Sequence, residues 1–303
     1  KVLGTFLGDL KECSQRLVRR VEKQLRPLQD VCRLRDSRHS RVSLQVQLEL
    51  NRFCANTSLV YFLRTMPLAA TAAAARRHDE LVAQAFHRLV GTALATPGAR
   101  YRAELQARLP VRLGGLGLTS QVQIAKAAVV GSWALCWRHL RELCPRLFGS
   151  VDLTVSQLPA CAELRAAHGS LHRTYHEVAA VYHEWDQTYY DFDREGEGHF
   201  RFHPADLPPR DSLLPVSELA HSSDFNEHAQ RRYSSVLHHS AWLQLLVRLQ
   251  GLSRRELVRF VAVSQPQAGA FLNAVPKFED FQVHTWALRV ALRRRLGLPL
   301  TTA

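Results

Sequence analysis

From Gln106 to Ser120 the chain reads Q-A-R-L-P-V-R-L-G-G-L-G-L-T-S, and this run constrains the fold more than any other. Gly114, Gly115 and Gly117 alternate with Leu113, Leu116 and Leu118, directly behind Pro110. Glycine tolerates positive φ and close backbone approach but weakens regular elements. Glycines interleaved with apolar anchors therefore predict a turn pressed against a core. Downstream of Ser120, the positions Ile124, Ala128, Gly131 and Leu135 recur at helical spacing, so the turn is expected to lead into a helix. The run is not a phosphate loop, because no expected strand precedes it and no Lys-Ser/Thr follows the glycines.

Helical periodicity continues through most of the chain. Cys13, Leu17, Val21, Leu25 and Leu28 make an apolar stripe over about 10–28, with Pro27 expected to end the helix. Residues 42–50 alternate strictly (Val42, Leu44, Val46, Leu48, Leu50), as a strand would, yet Leu44/Leu48 and Val46/Leu50/Phe53 also satisfy a helix. The helical reading is the one adopted. Further helices are expected over Leu59–Thr65, over the alanine-rich run to Val90, and over 224–249. Gly91 and Thr96-Pro97-Gly98 are read as closing the helix that ends near Val90. Ser253 and Glu256 form a capping box, and a last helix is expected over about 280–296 with Phe281, Thr285, Leu288 and Leu292 inward. Pro204, Pro208, Pro209 and Pro215 mark 188–215 as a linker.

Charge points to the class of partner. Forty Lys+Arg face 27 Asp+Glu, a net charge of +13, which favours a polyanion such as nucleic acid. Arginine dominates, and its planar fork suits phosphates. Arg16, Arg19, Arg20 and Lys23 fall at i, i+3, i+4 and i+7, one basic face that is either a phosphate contact or merely solvated. Residues 33–41 read as a basic loop. Arg100, Arg102, Arg108 and Arg112 flank the glycine turn and bracket Tyr101, the mixture of cations and aromatic that single strands and hybrid backbones attract. Arg289, Arg293, Arg294 and Arg295 crowd the last helix; dipole complementation accounts for one or two of them. Four leave room for a phosphate-facing role.

Other chemistries are thinly represented. The chain has no Asp-Asp pair, and Tyr189-Tyr-Asp-Phe-Asp193 is read as part of an exposed acidic loop. Asp79-Glu80 is read as complementing a helix dipole. His168, His172 and His176 share a helical face, but no H-E-x-x-H or paired cysteines accompany them, so no metal is expected. Cofactors are not expected either. Six cysteines without a C-x-x-C pair, and no apolar run of membrane length, suggest a reduced intracellular protein of nucleus or cytoplasm, with no membrane partner.

Several stretches together resemble one family. Lys1–Gly8 (K-V-L-G-T-F-L-G), Asn51–Pro67 (N-R-F-C-A-N-T-S-L-V-Y-F-L-R-T-M-P), the glycine run, Ser264–Pro276 (S-Q-P-Q-A-G-A-F-L-N-A-V-P) and Ala291–Pro299 (A-L-R-R-R-L-G-L-P) are similar, in this order, to the region beyond the palm in reverse transcriptases of non-LTR (LINE-type) retrotransposons. The resemblance implies an all-α fold: a multi-helix, thumb-like bundle followed by a helical linker domain, with one short N-terminal strand at most. It implies a remnant of the palm-end strand-turn over 1–8, a thumb-like domain over 9–118 and a helical connector over 119–187. After the 188–215 linker, a C-terminal helical domain would cover 216–303.

Polymerases of that family hold two metal ions with palm aspartates, and such carboxylates are missing here. The expectation is a fragment without catalysis of its own, whose parent enzyme would be an RNA-directed DNA polymerase. It would grip RNA or an RNA–DNA duplex through its arginines, alongside absent fingers and palm or within a ribonucleoprotein. A domesticated structural protein of a ribonucleoprotein particle, or a retroelement fossil without function, are the competing readings. In that family a zinc knuckle and an endonuclease region can follow; the sequence ends at Ala303 with neither.

Overall fold

The computed structural model describes residues 6–33, 43–92, 95–148, 159–193, 229–273 and 283–300. Among them every regular element is helical, as the patterning implied. The expected N-terminal strand-turn lies mostly outside the described residues. So do the basic loop at 33–41 (all but its first residue), Phe281, and most of the proline-rich 188–215 segment.

The chain divides into two compact units: 1–123 with 244–303, and 124–243. This division differs from the domain boundaries expected from sequence. The segment after 244 belongs with the N-terminal half, for reasons set by its arginines.

In the first unit, α1 (Leu10–Arg33) lays Leu17, Val21, Leu25 and Leu28 against α4 (Leu68–Val90). Contrary to expectation, α1 runs through Pro27 to Arg33. The proline is exposed, and the turn beyond it is held by Gln29, which donates to Leu81 O (2.6 Å) and accepts from Arg88 Nη1 (2.5 Å). Tertiary bonds thus offset the one that proline removes.

Next, α2 (Leu44–Glu49) passes directly into a π-helical turn, Leu50–Ala55. Ser43 caps it, accepting from Val46 N at 3.3 Å. The segment is helical, as expected, but it buries a different face. Leu44, Gln45, Gln47, Leu48, Asn51 and Arg52 are buried, whereas Phe53 is 58% exposed. Two of the inward polar side chains meet distant backbone: Arg52 donates to Leu272 O, and Gln45 Oε1 accepts from Val283 N (3.2 Å).

The short α3 (Val60–Thr65) stops at Met66, whose extended conformation is the one that Pro67 demands. Gly91 closes α4 in the left-handed region. Thr96 opens the next helix rather than ending the previous one: it caps α5 (Pro97–Ala107), accepting from Ala99 N at 3.3 Å, with Pro97 in the first turn.

The glycine run forms a 3-10 turn (Val111–Leu113) with Gly114 at φ 82° and Gly117 at φ 77°. Leu113, Leu116 and Leu118 are buried, as expected. A Cβ on Gly115 would lie 1.9 Å from Leu109 O, so no side chain fits there.

Further along the chain come α6 (Gln121–Leu143), α7 (Pro145–Phe148), α8 (Pro159–Asp193) and α9 (Ala229–Gln250), which make up most of the second unit. Ile124, Ala127, Ala128, Val130, Ala134 and Trp137 form the inward stripe of α6, and Leu135 is exposed. Gly131 allows the backbone of α9 to approach, since a Cβ there would lie 2.8 Å from Gln230 Cα. Residues 189–193 lie on α8, a correction to the acidic loop read from the sequence; 194–198 fall outside the described residues.

The first unit is completed by α10 (Arg254–Val263), a 3-10 turn (Ala270–Asn273) and α11 (Thr285–Arg295). Ser253 caps α10 by accepting from Glu256 N (3.2 Å), while the Glu256 carboxylate turns to Arg259 instead of completing the box.

Candidate nucleic-acid interface

The first unit sorts its arginines into two populations. One is sunk into the fold and bonded to carbonyl oxygens. Arg295, 3% exposed, donates from Nε to Gly115 O (3.1 Å), from Nη1 to Ala268 O (3.0 Å) and from Nη2 to Val111 O (2.8 Å). Arg259 donates to Gln106 Oε1 (3.1 Å), to Arg295 O and to Glu256 Oε2 (2.9 Å). Arg52 donates to Leu272 O and to Asn273 Oδ1 (3.0 Å). Gln106 Nε2 reaches both Gly114 O and Arg295 O at 2.9 Å, and Asn56 donates to Gly117 O at 3.1 Å.

These bonds join all but the first of the stretches that carry the resemblance: 51–67, the glycine run, 264–276 and 291–299. They also explain why residues beyond 244 belong with the N-terminal half. Burial, with mutual repulsion from Arg259 and Arg52, pulls the Arg295 guanidinium down to about 10. Burial lowers Arg259 and Arg52 as well.

Arg293 is a correction. A phosphate-facing role is expected of it from sequence, but it is 2% exposed and donates to Pro299 O (2.7 Å), Val90 O (3.4 Å) and Gly91 O. On a helix this close to the core, consecutive arginines cannot share one face. Arg294 points outward and is exposed, whereas Arg289 is half-buried with its Nε shut off from solvent.

Along α1 the expected basic face is partly spent. Arg16 pairs with Glu12, and Arg20 turns inward so that its guanidinium lies 5.0 Å from the Phe62 ring centroid. Glu22, on the same helix, pairs with Arg77 at 2.8 Å. Arg19 and Lys23 stay exposed, and among the described residues no acid pairs with either.

The outer side of α5 is where free cations gather. Arg100 is exposed and Arg102 half-buried; among the described residues neither has an acidic partner. Tyr101 between them is 51% exposed. Arg248, near the end of α9, places its guanidinium 5.6 Å from the Tyr101 ring centroid. Sequence spacing could not find Arg248, because nothing local links it to α5. Arg102 also lies near enough to Arg259 to lower that group's proton affinity, so positive potential accumulates here.

The neighbouring acid, Glu104, is already engaged: Arg108 and His87 (3.3 Å) bind its carboxylate. The His87 hydrogen bond, followed by the Arg108 charge, holds Glu104 below the usual carboxylate range. Arg108 is therefore neutralised rather than free. Arg112, in the glycine turn, is exposed.

The remaining chemistry of the described residues is sparse. Asp79, expected at a helix start, lies instead mid-way along α4. Its carboxylate caps α6 from outside, accepting from Gln121 N (2.8 Å), Val122 N (3.4 Å) and Ser120 Oγ. His168, His172 and His176 line up along α8 with tilted rings whose centroids are 4.3 and 6.4 Å apart. Among the described residues no His, Cys, Asp and Glu group could hold a metal ion. A cleft of about 200 Å³ between α1 and the π-turn is lined by Leu25, Leu28, Val31, Leu50 and Cys54, without a charged wall. No described helix is long and apolar enough to cross a membrane. No family model, curated protein or solved structure matches the chain.

Proposed function

We propose that this protein binds nucleic acid through the outer face of α5, without chemistry of its own, as the post-palm region of a non-LTR retrotransposon reverse transcriptase would. The observation that carries the reading is the exposed Tyr101 with Arg248 over its ring and Arg100 and Arg102 on the helix flanks to either side, while Glu104 nearby is already bound to Arg108 and His87. Unneutralised guanidiniums beside an exposed aromatic suit a phosphodiester backbone better than they suit a protein surface. Arg19 and Lys23 on α1, Arg112 and Arg294 add exposed cations elsewhere on the same unit.

The resemblance adds support through the buried arginine network. Four of its five stretches are mutually hydrogen-bonded in one unit, as parts of a shared scaffold would be. The ligand on this reading is RNA or an RNA–DNA duplex, held by its backbone. Fluorescence anisotropy with labelled RNA and RNA–DNA hybrid tests it. The double variant Arg100→Ala/Arg102→Ala should bind at least about tenfold more weakly, since a hydrogen bond to a charged group contributes roughly 1.5–3 kcal/mol and about 1.4 kcal/mol is tenfold. Equal affinity of the variant and the unaltered protein would refute the assignment.

A further inference from the structure

Building on that proposed nucleic-acid reading, we infer that the Tyr101–Arg248 pair is a stacking platform for an unpaired base, which makes single-stranded nucleic acid the preferred ligand of this face. Half of the Tyr101 surface is open to solvent, and its ring takes no part in the core of α5, which buries Ala103, Gln106 and Ala107. The Arg248 guanidinium holds the ring from one side at 5.6 Å. That contact fixes the ring's plane in advance, which lowers the ordering cost of stacking a further planar group. Arg100 and Arg102 flank the ring on the same helix and would take the phosphates on either side of the stacked nucleotide.

The surface beside Arg248 is apolar as well as cationic: Val247 and Leu252 are exposed there. A duplex presents phosphates and sugars to such a surface and keeps its base faces covered. Only an unpaired nucleotide can use the ring, the guanidinium plane and the apolar rim together. Stacking of this kind tolerates any base, so little sequence preference is expected.

The test compares a labelled single-stranded RNA, the matching RNA duplex and a single strand carrying abasic sites, each titrated against the full chain and against Tyr101→Ala, Tyr101→Phe and Arg100→Ala/Arg102→Ala. The expected result has three parts. The single strand binds more tightly than the duplex, Tyr101→Ala loses about tenfold on the single strand while Tyr101→Phe does not, and abasic sites cost the unaltered protein a similar factor. The abasic probe needs no protein variant, so a folding defect in Tyr101→Ala cannot obscure it. Equal binding of intact and abasic strands, with the double arginine variant still weakened, overturns the stacking platform and leaves the backbone grip standing. Failure of the unaltered protein to bind any of the probes overturns both.

Discussion

Arg293, Arg294 and Arg295 occupy consecutive positions and have separate fates. Arg293 and Arg295 are sunk among carbonyl oxygens, one holding Gly91 and Pro299, the other holding the glycine turn, while Arg294 stands in solvent. A guanidinium offers five donors in a fixed fork, so one side chain can close several carbonyls that would otherwise be buried without partners. Replacing Arg295 by alanine strands the oxygens of Gly115 and Ala268, takes from Val111 O one of its two donors (Gly114 N remains, at 3.1 Å), and should cost about 3 kcal/mol or more in urea denaturation. Arg294→Ala, by contrast, should change stability by no more than about 0.5 kcal/mol. Similar destabilisation of the two variants would contradict the sorting into fasteners and free cations. Local spacing could not make this distinction, because charge and helical period are alike for all three. What separates them is the position of carbonyls up to 203 residues away in sequence.

At the scale of elements, the junction of α4 with the start of α6 shows how a helix end can be satisfied from outside. Ser120 caps α6 by accepting from Gln123 N at 3.2 Å, and Asp79 of α4 takes the amides of Gln121 and Val122. The carboxylate meets both the unpaired N–H groups and the positive end of the helix dipole. Asp79→Ala should therefore lower stability by about 1–2 kcal/mol, and thermal unfolding followed by circular dichroism would register it. An unchanged transition would show that Ser120 suffices alone.

Much of the element content is legible in the sequence. The apolar stripe of α1, the left-handed stop at Gly91, the Met66–Pro67 break and the buried leucines of the glycine run all follow from periodicity and turn chemistry. The departures share a physical cause. Local pattern predicts that Pro27 ends α1, and it offers Leu44/Leu48 and Val46/Leu50/Phe53 alike as the apolar side of α2. In both places tertiary partners (Gln29 with Leu81, Gln45 and Arg52 with distant backbone) decide what local preference does not. Of the candidate site, the Arg100–Arg102 face is legible in the sequence. Arg248 is not, since its partner ring lies on another helix. Arg293 and Arg108 look like free cations until the carbonyls and the carboxylate that hold them are in view.

For the molecule as a whole, the net charge of +13 overstates what is available to a ligand. Within the first unit a set of guanidiniums is used up inside the fold and others pair with Glu12, Glu22 and Glu104. Among the described residues of this unit the cations left exposed lie on several elements, and those gathered around Tyr101, on α5 and the end of α9, are the ones expected to grip a backbone beside an aromatic. The most direct measurement is the salt dependence of RNA affinity for the unaltered protein and for Arg100→Ala/Arg102→Ala/Arg248→Ala. Log affinity should fall linearly with log salt, and the triple variant's slope should be shallower by about 0.7 for each phosphate it no longer neutralises on a single strand. Binding that ignores salt, or a slope that stays the same when the three arginines are gone, would contradict the claim that this face holds a nucleic-acid backbone.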